Sequence, residues 1–458
     1  MAGTSSSSKD EPVAVFIVGF RTKLIVTAPQ AQYFARACGT ARFAFNWALE
    51  KWIEQYRQHK QAPALVPPPN EAALRRELNR IKGTQFPWMY EVTKCAVQNA
   101  IRNLGTAFKN FFSNPKHFKY PKFKKKFVDD SFTISNDQFK LDEELSRIHI
   151  PRLGWVRMCE RLRFKGARLL SATISRRADD WYVSISCEIK DLSHLSPAKN
   201  HGRVGVDLGI SKLATLSDGH VFEAPKPLKS KLGKLRKLQK RLSRASKGSQ
   251  NRLKLRLRIA RLHRSIADIR ADALHKLTHF LSANYSTVVI EDLNVKGMMS
   301  NRHLSRAIAD IGFHEFRRQL AYKMALRGGE LIVADRFFPS SRLCRHCEKR
   351  NADLELSDRQ WQCPHCGCRI EDRDLNAALN LYHYPEMKWD RPRTPVQGRS
   401  SESTADQAPP AVADHNGELD DHTAGVSLLC AEEEPVSGRG LTEAARIPKN
   451  GEEDSIHW

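Results

Sequence analysis

The sequence predicts a multidomain protein of mixed α+β and α/β class, in which helices interrupt a small antiparallel barrel or sandwich and an α/β domain follows. Apolar residues alternate with period two in short segments between residues 131 and 189, which indicates antiparallel strands. Between residues 30 and 112 they recur with helical spacing. From residue 203 onward, apolar strands alternate with helices, as in an α/β domain.

The charge balance indicates an anionic partner. Seventy-five Lys and Arg stand against 51 Asp and Glu, which leaves a net charge of +24 in 458 residues. Because such an excess steers polyphosphates to a surface, nucleic acid is the leading candidate. No stretch approaches the roughly 20 apolar residues that span a bilayer, and residues 1–12 lack the apolar run of a signal peptide. We therefore expect a cytoplasmic protein without membrane contact.

The first half of the chain is predicted to hold one strand, three helices and a set of short strands. The strand VAVFIVGFRTKLIV precedes helices at about 30–56, 71–81 and 95–112. The third helix is amphipathic, with a buried face of Ala96, Ile101, Leu104 and Phe108 and an exposed face of Gln98, Arg102 and Lys109. The short strands that follow are SFTIS, IHIP, LRFKG, SATISRR and WYVSISCEI. The helices therefore look like an insertion within a β unit.

The second half is predicted to alternate between strands and helices. It opens with strand RVGVDLGI, a hairpin through Ser217-Asp218-Gly219 and strand VFEAP. Basic helices at about 229–243 and 251–281 precede the strand TVVIEDL. A helix at about 313–327, the strand ELIVAD, a cysteine segment and the short helix NAALNLY complete the domain. Beyond Pro392 the polar, acidic composition predicts a disordered tail.

Five of the ten cysteines lie between residues 344 and 368. Two residues separate Cys344 from Cys347 and Cys363 from Cys366, and fifteen residues join the two pairs. This spacing predicts a structural Zn2+ ion held by four thiolates, and four free thiols are the weaker interpretation. A closed four-cysteine site leaves no position for water, so the ion would stabilise a small knuckle and catalysis would lie elsewhere. Cys368 is then a spare thiol.

Three acids stand where a second metal site could form. Asp207 lies within the strand GVDLG, Glu291 ends the strand TVVIE, and Asp374 precedes the last helix. An unpaired carboxylate in an apolar strand is unfavourable unless a cation compensates it, so Asp207 is the strongest candidate. Glu291 could also be a solvated strand-end acid, and Asp374 could cap its helix. If the three share cations, their hard oxygen ligands favour Mg2+ or Mn2+.

Two basic segments are candidate nucleic-acid surfaces. The stretch PKHFKYPKFKKK interleaves aromatic rings with lysines, and the lysines expected to contact nucleic acid are Lys119, Lys122, Lys124, Lys125 and Lys126. The alternative is a solvated loop whose rings anchor it to the barrel. Residues 226–270 contain 17 basic residues and one acid, which suits a channel for a nucleic-acid duplex with Lys237 and Arg241 as contacts. On the third helix Gln98, Arg102 and Lys109 are candidate nucleic-acid contacts, and Gln98 and Arg102 could read base edges, although such a helix is as often only packing.

These motifs resemble the TnpB proteins that bacterial insertion sequences encode, which are also called OrfB and are related to the type V CRISPR effector nucleases. In the second half the similar segments are GVDLGISKLATLSDG, VVIEDLN, FPSSRLCRHC, CPHCG and DRDLNAALNL. In the first half they are ARFAFNWALEKW, AFKNFF, YPKFKKK and ADDWYVSI. The similarity covers roughly residues 13–385, and Glu348 departs from it because a glycine commonly follows the second cysteine.

The resemblance implies an oligonucleotide-binding-like β barrel with an inserted helical recognition domain, followed by a RuvC/RNase H-like domain that carries the zinc finger. The implied domains are a disordered leader (1–12), the barrel (13–30 and 114–195), the recognition domain (31–113), the nuclease domain (200–340 and 371–385), the zinc finger (341–370) and a disordered acidic tail (390–458).

The resemblance also implies an RNA-guided DNA endonuclease. Its partners would be a guide RNA transcribed from the transposon end and double-stranded target DNA, cut beside a short transposon-associated motif. Asp207, Glu291 and Asp374 match the three RuvC acids, with Asp372 as the near miss. Two Mg2+ ions about 3.5 to 4 Å apart would support in-line hydrolysis. Such a protein would be cytoplasmic and would associate with the nucleoid when bound to DNA. The sequence does not specify its oligomeric state.

Two other functions remain open. A guide-directed DNA binder that no longer cuts is disfavoured because all three acids are present. If the protein were a DNA-strand transferase, its DNA products would be joined to other DNA or covalently bound to the protein. A tyrosine enzyme of that class also needs a His-rich metal motif, which we do not find in the sequence.

Overall fold

A computed structural model describes residues 15–190, 201–355 and 357–387. The strands are β1 (Phe16–Ile25), β2 (Ser131–Ser135), β3 (Lys140–Asp142), β4 (Arg147–Ile150), β5 (Gly154–Met158), β6 (Arg168–Arg177), β7 (Asp180–Ile189), β8 (Arg203–Asp207), β9 (Lys212–Leu216), β10 (Val221–Glu223), β11 (Thr287–Ile290), β12 (Glu330–Val333), β13 (Trp361–Gln362) and β14 (Arg369–Ile370). The helices are α1 (Ala28–Gln61), α2 (Glu71–Gln85), α3 (Lys94–Ser113), α4 (Pro227–Arg244), α5 (Gln250–Asn284), α6 (Val295–Ser300), α7 (Ser305–Ile311), α8 (Phe313–Leu326) and α9 (Arg373–His383).

The first sheet has seven antiparallel strands in the order β2-β6-β7-β1-β5-β4-β3. The predicted antiparallel arrangement is therefore confirmed, except that LRFKG (162–166) forms no strand, because the chain bends and turns there between β5 and β6. Within residues 15–190 the strand pairings do not join β2 to β3, so the oligonucleotide-binding-like barrel stays a prediction. Helices α1, α2 and α3 lie between β1 and β2 in the chain, as the predicted insertion requires.

Local sequence signals set the ends of these helices. Thr27 and Gln30 form a reciprocal capping box at the start of α1, which ends just before Pro63. Thr93 accepts a hydrogen bond from the backbone N–H of Cys95 and caps α3. The predicted buried face of α3 is confirmed, and it joins a core in which Phe34 packs against Trp181 at 5.2 Å between ring centroids.

The second sheet has five strands in the order β10-β9-β8-β11-β12. Strands β8, β11 and β12 are parallel to one another, whereas β9 and β10 add an antiparallel hairpin. Helices cover both faces: Ile290 packs in a cluster with Leu277 of α5 and Phe316 of α8, and Val289 packs with Leu381 of α9. The predicted α/β layering is confirmed for this part of the chain.

Some elements differ from the sequence prediction. Asp207 is the last residue of β8 and not a mid-strand residue, because the chain turns there and begins β9 at Lys212. Helices α6 and α7 were not predicted, since each is only six or seven residues long and offers too few turns for a periodic pattern. The leader (1–12), the joint at 191–200 and the acidic tail (390–458) lie outside the described residues.

None of the helices in the described part of the chain combines the length and apolar character needed to cross a membrane.

Candidate active site

Two of the three predicted acids lie at one edge of the five-stranded sheet. Strands β8 and β11 are parallel, and Val206 pairs with Ile290. Asp207 and Glu291 are the next residues along these neighbouring strands, so both stand at the carboxyl ends of a parallel pair. In open α/β sheets this edge is where ligands bind.

The third acid reaches this edge because α9 packs directly on β8. A Cβ atom at Gly205 would lie 2.0 Å from the carbonyl oxygen of Ala378 and 2.5 Å from the amide nitrogen of Tyr382. Only glycine leaves room for the helix backbone at this distance. The backbone of α9 therefore fills the space beside Gly205 and leaves no room there for an ion or a phosphate. That contact sets Asp374, in the first turn of α9, above the end of β8.

The other two acids act on the ionisation of Asp207. Burial raises the pKa of Asp207 well above its ordinary value, and the nearby charges of Glu291 and Asp374 raise it further. Burial also raises the pKa of Glu291, and a hydrogen bond from Ser340 partly offsets the rise. A buried carboxylate whose ionisation is disfavoured by neighbouring acids is stabilised by a cation placed among them.

Asp372 and Asp374 have different surroundings. The Asp372 carboxylate accepts hydrogen bonds from the backbone N–H groups of Asp374 (2.8 Å) and Leu375 (3.2 Å), so Asp372 is the cap of α9. Asp372, and not Asp374, therefore caps this helix. The Asp374 carboxylate instead faces Lys212 Nζ at 3.7 Å and Arg359 Nη1 at 3.5 Å.

Residues that the sequence reasoning missed complete this edge. The hydroxyl of Ser340 donates to Glu291, and the side-chain amide of Asn380 donates to the Ser340 carbonyl at 2.7 Å. Arg373, buried beside Asp374, donates to the carbonyl of Glu355 at 2.6 Å. These polar residues lie in FPSS and DRDLNAALN, two segments that carry the family resemblance. Their presence in those motifs was the sequence signal from which a role at the site could have been predicted.

The four predicted cysteines come together. The sulfur atoms of Cys344, Cys347, Cys363 and Cys366 all lie within 4.8 Å of one another, close enough to hold a metal ion. Although burial raises it, the backbone N–H groups of Cys366 and His365 lower the pKa of Cys363 to about 6, whereas burial and the neighbouring thiols raise the pKa values of Cys347 and Cys366. Cys368 is outside this group, as expected for a spare thiol.

Within the described ranges, this is the one group of three or more His, Cys, Asp or Glu side chains whose ligand atoms lie close enough together to hold a metal ion. The oxygen atoms of the three acids are spaced more widely. Like charges repel, and Asp374 is drawn toward Lys212 and Arg359.

The cysteine knuckle is tied to the carboxylates through the chain that enters it. The side-chain amides of Asn376 and Asn380, both on α9, donate to the Leu343 carbonyl at 2.7 and 2.9 Å. Leu343 directly precedes Cys344, the first of the four cysteines. Ser340 lies three residues before Leu343 and donates a hydrogen bond to Glu291. The knuckle, Glu291 and the helix that carries Asp374 thus share one buried polar network.

Comparisons with known proteins agree with the resemblance. Residues 184–302 match the family OrfB_IS605, described as "Probable transposase", residues 313–381 match the Cas12f1-like TNB domain, and residues 17–61 match a helix-turn-helix domain of the OrfB family. A protein of Streptomyces pristinaespiralis, named as a candidate RNA-guided DNA endonuclease, is 38% identical over 371 residues, covering 79% of this chain and 88% of that protein. The chain belongs to the TnpB/OrfB family.

Further relatives of this TnpB-family chain are more distant. InsQ of Escherichia coli K12, also named as a candidate RNA-guided DNA endonuclease, is 35% identical over 377 residues, covering 79% of this chain and 90% of InsQ. A solved Cas12f1–sgRNA–target DNA complex is similar over 78% of this chain and 83% of its own, with 14% identity and a TM-score of 0.45. That structural likeness is too remote to inform the function.

The predicted contact residues of α3 lie on its open face. Arg102 and Lys109 are exposed and Gln98 is half-buried, whereas Ile101 and Leu104 on the opposite side are fully buried. The amphipathic arrangement of α3 therefore leaves the three polar side chains available to a ligand.

The lysine stretch combines features of both interpretations. Its five predicted contact lysines are exposed, and so is the ring of Phe123. The Tyr120 ring instead packs edge-on against Phe108 at 5.5 Å, and the Asn46 side chain bonds both the N–H and the carbonyl of Lys124. The stretch is therefore anchored to α1 and α3 while it presents its charge to solvent.

The two basic helices form a hairpin with a small core of its own. Leu235 and Leu238 of α4 are buried in a cluster with Leu255 and Leu262 of α5, as expected for core leucines. Lys237 and Arg241 are exposed. Part of the basic surface is neutralised, because two arginines of α5 pair with acids of the β6–β7 turn; these pairs are Arg261 with Asp179 at 2.6 Å and Arg264 with Asp180 at 2.7 Å.

Proposed function

We propose that this protein is an RNA-guided DNA endonuclease that hydrolyses phosphodiester bonds at a RuvC-like site. The observation that carries the proposal is the convergence of Asp207, Glu291 and Asp374 at one sheet edge, where two of them raise the pKa of the third. Two relatives are named as candidate RNA-guided DNA endonucleases, and this chain covers 88% and 90% of their lengths. Their names support the same activity.

The donor set at this edge fits divalent cations. All three side chains offer carboxylate oxygens, the ligands that Mg2+ and Mn2+ prefer. A pair of such ions, as the family resemblance implies, would supply Lewis-acid stabilisation of charge on the scissile phosphate. Asp207, Glu291 and Asp374 would hold these ions, and Ser340 would keep Glu291 oriented toward them.

The protein's own residues would then position the substrate. Arg359 and Lys212, which face the Asp374 carboxylate, add positive charge beside the site where a phosphate would lie. Because water is the nucleophile in this mechanism, no serine, tyrosine or cysteine attacks the phosphate. Hydrolysis therefore leaves no covalent bond between protein and DNA.

The four-cysteine cluster would hold one structural Zn2+ ion. Four thiolates close the coordination sphere, so this ion would fold the segment 341–370 and take no part in hydrolysis.

The arrangement of the domains suits the same function. The second sheet, with three parallel strands extended on one side by an antiparallel hairpin, is compatible with the RuvC/RNase H-like domain that the family resemblance implies, and we assign that domain residues 200–340 and 371–385. We assign 13–30 and 114–195 to an oligonucleotide-binding-like barrel and 31–113 to the recognition domain. A guide RNA from the transposon end and double-stranded target DNA would bind the basic hairpin α4–α5 and the lysine stretch, while Gln98 and Arg102 would read the adjacent DNA motif.

The decisive experiment compares plasmid cleavage by the wild type and Asp207→Asn, each bound to its guide RNA and supplied with Mg2+. Asparagine keeps the shape of the side chain and removes the charge, so we expect a loss of at least about 100-fold, since even outer partners of metal ligands are worth 10- to 100-fold. Asp137→Asn is the matched control, because Asp137 is exposed and lies in the first sheet's loops.

Equal cleavage by the wild type and Asp207→Asn would refute the assignment. RNA that co-purifies with the full chain after mild purification should carry a sequence from the transposon end. Absence of such RNA would favour a DNA enzyme that works without a guide.

A further inference from the structure

Lys212 reaches the acidic edge from the hairpin that follows Asp207. The pairing of β8 with β9 ends where Asp207 meets Thr215, so Lys212, three residues before Thr215, extends past the end of β8. The turn between the strands is tight: a Cβ atom at Gly209 would lie 2.9 Å from the Lys212 carbonyl oxygen. This turn returns the chain over the carboxylates.

The Lys212 ammonium contacts two carboxylates at once. Its Nζ lies 2.9 Å from Asp372 and 3.7 Å from Asp374. Asp372 caps α9 and belongs to the helix that brings Asp374 to the site. A single lysine therefore lies against both acids at the start of that helix, and Arg359 adds a second positive charge 3.5 Å from Asp374.

We propose that Lys212 is the resident counter-cation of the carboxylate site, which pairs with Asp374 when divalent metal is absent and competes with the metal for that carboxylate. This inference rests on the proposed function only in taking Asp374 as a metal ligand. It concerns regulation of metal binding and not the chemistry of cleavage.

The two distances indicate how the competition works. Because the contact with Asp372 is the shorter one, Lys212 can keep it and release Asp374 to an incoming cation. Until that release, the positive charge of Lys212 opposes the approach of another cation. Removal of the lysine charge should therefore tighten metal binding, whereas a residue that merely positions Asp374 would weaken it when removed.

The test uses the zinc-loaded full chain and measures its thermal unfolding during titration with Mn2+. Two unit charges about 4 Å apart in water interact by an amount that corresponds to roughly fivefold in affinity, so Lys212→Met should bind Mn2+ at least about fivefold more tightly than the wild type. Its unfolding midpoint without Mn2+ should be lower, because Asp372 loses its lysine partner and Asp374 keeps only Arg359.

Two controls separate charge from shape. Lys212→Arg keeps the charge, so its Mn2+ affinity should stay within about twofold of the wild type on the same reasoning. Lys51→Met removes a lysine that pairs with an acid on α1, Glu54 at 3.3 Å, and should leave Mn2+ affinity unchanged.

Unchanged or weakened Mn2+ binding in Lys212→Met would overturn the inference. If Lys212→Met binds Mn2+ more tightly while the wild type cuts no DNA, the proposed function fails and the role of Lys212 stands. A Mn2+ response that Asp207→Asn leaves intact would arise outside these carboxylates and would overturn both.

Discussion

At the scale of single residues, Gly205 determines whether the acidic site can form. Its missing side chain lets the backbone of α9 lie against β8, with the carbonyl of Ala378 2.0 Å from where a Cβ atom would be. Asp207 is two residues further along the same strand, and Asp374 is near the start of the same helix. The distance between these two acids therefore depends on a contact that neither acid makes.

Gly205→Ala should push α9 away from the sheet. We expect a loss of about 3 kcal/mol in the free energy of unfolding, at the upper end of what overpacking usually causes, since both contacts are with backbone atoms that cannot rotate aside. Cleavage should fall as well, because Asp374 moves with the helix. Denaturant unfolding and the plasmid assay measure the two effects.

Gly233→Ala is the matched control. Gly233 lies inside α4, and a Cβ atom there would meet nothing within 4 Å. Alanine should stabilise that helix by up to about 1 kcal/mol. If both variants unfold like the wild type, α9 does not pack on β8 as described.

At the scale of secondary-structure elements, the basic helix α4 depends on an acid from another helix. Its N-cap residue, Lys226, makes no side-chain capping bond. Asp310 of α7 instead accepts hydrogen bonds from the N–H groups of Leu228 at 3.0 Å and Lys229 at 3.4 Å, and pairs with Arg270 of α5 at 3.0 Å. One buried carboxylate therefore joins three helices around the start of the basic hairpin.

Asp310→Ala should lower the free energy of unfolding by about 3 kcal/mol, because it removes a helix cap and leaves the partly buried Arg270 without this partner. Asp272→Ala is the control: Asp272 pairs with Lys276 on the exposed surface of α5, and its removal should change stability by less than about 0.5 kcal/mol. Denaturant unfolding of both variants checks the difference, and equal stabilities would contradict the capping role.

The same element shows what the sequence could predict. The charge and helical spacing of residues 229–243 predicted α4, which is observed as Pro227–Arg244. No local signal linked its start to Asp310, because the two are some 80 residues apart and only folding joins them. The short helix that carries Asp310 was itself missed.

At the scale of the whole molecule, the cysteine knuckle and the carboxylate edge are mechanically connected. Leu343, beside the first cysteine, accepts hydrogen bonds from α9, and Ser340 bonds Glu291. Loss of order in the knuckle would therefore reach two of the three acids through buried hydrogen bonds.

Removal of the structural metal should reduce DNA cleavage even when Mg2+ is abundant. Cys363→Ser, or a zinc-selective chelator, should lower cleavage by roughly 10- to 100-fold, the range seen when the supports of metal ligands are lost. Zinc content and cleavage would be measured on the same samples. Cys368→Ser, outside the sulfur cluster, should retain both; full activity in zinc-free protein would contradict the connection.

The sequence by itself determined the periodic elements and the candidate ligands of the two proposed metal sites. The alternation of the strands, the amphipathic face of α3 and the four-cysteine spacing are local patterns, and local propensity and solvent contrast are enough to produce them. The three candidate acids were likewise visible in the sequence, although Asp207 was predicted within its strand and lies at the strand's end.

Tertiary structure decided which groups face those acids. It decided that Asp372 caps α9 while Asp374 faces the site. It also placed Lys212 against both acids and Ser340 against Glu291, and these contacts join segments distant in the chain. Such contacts depend on the register of β8 against β11 and on the close approach of α9 at Gly205. Propensity and periodicity act over a few neighbouring residues, so they carry no information about these distances.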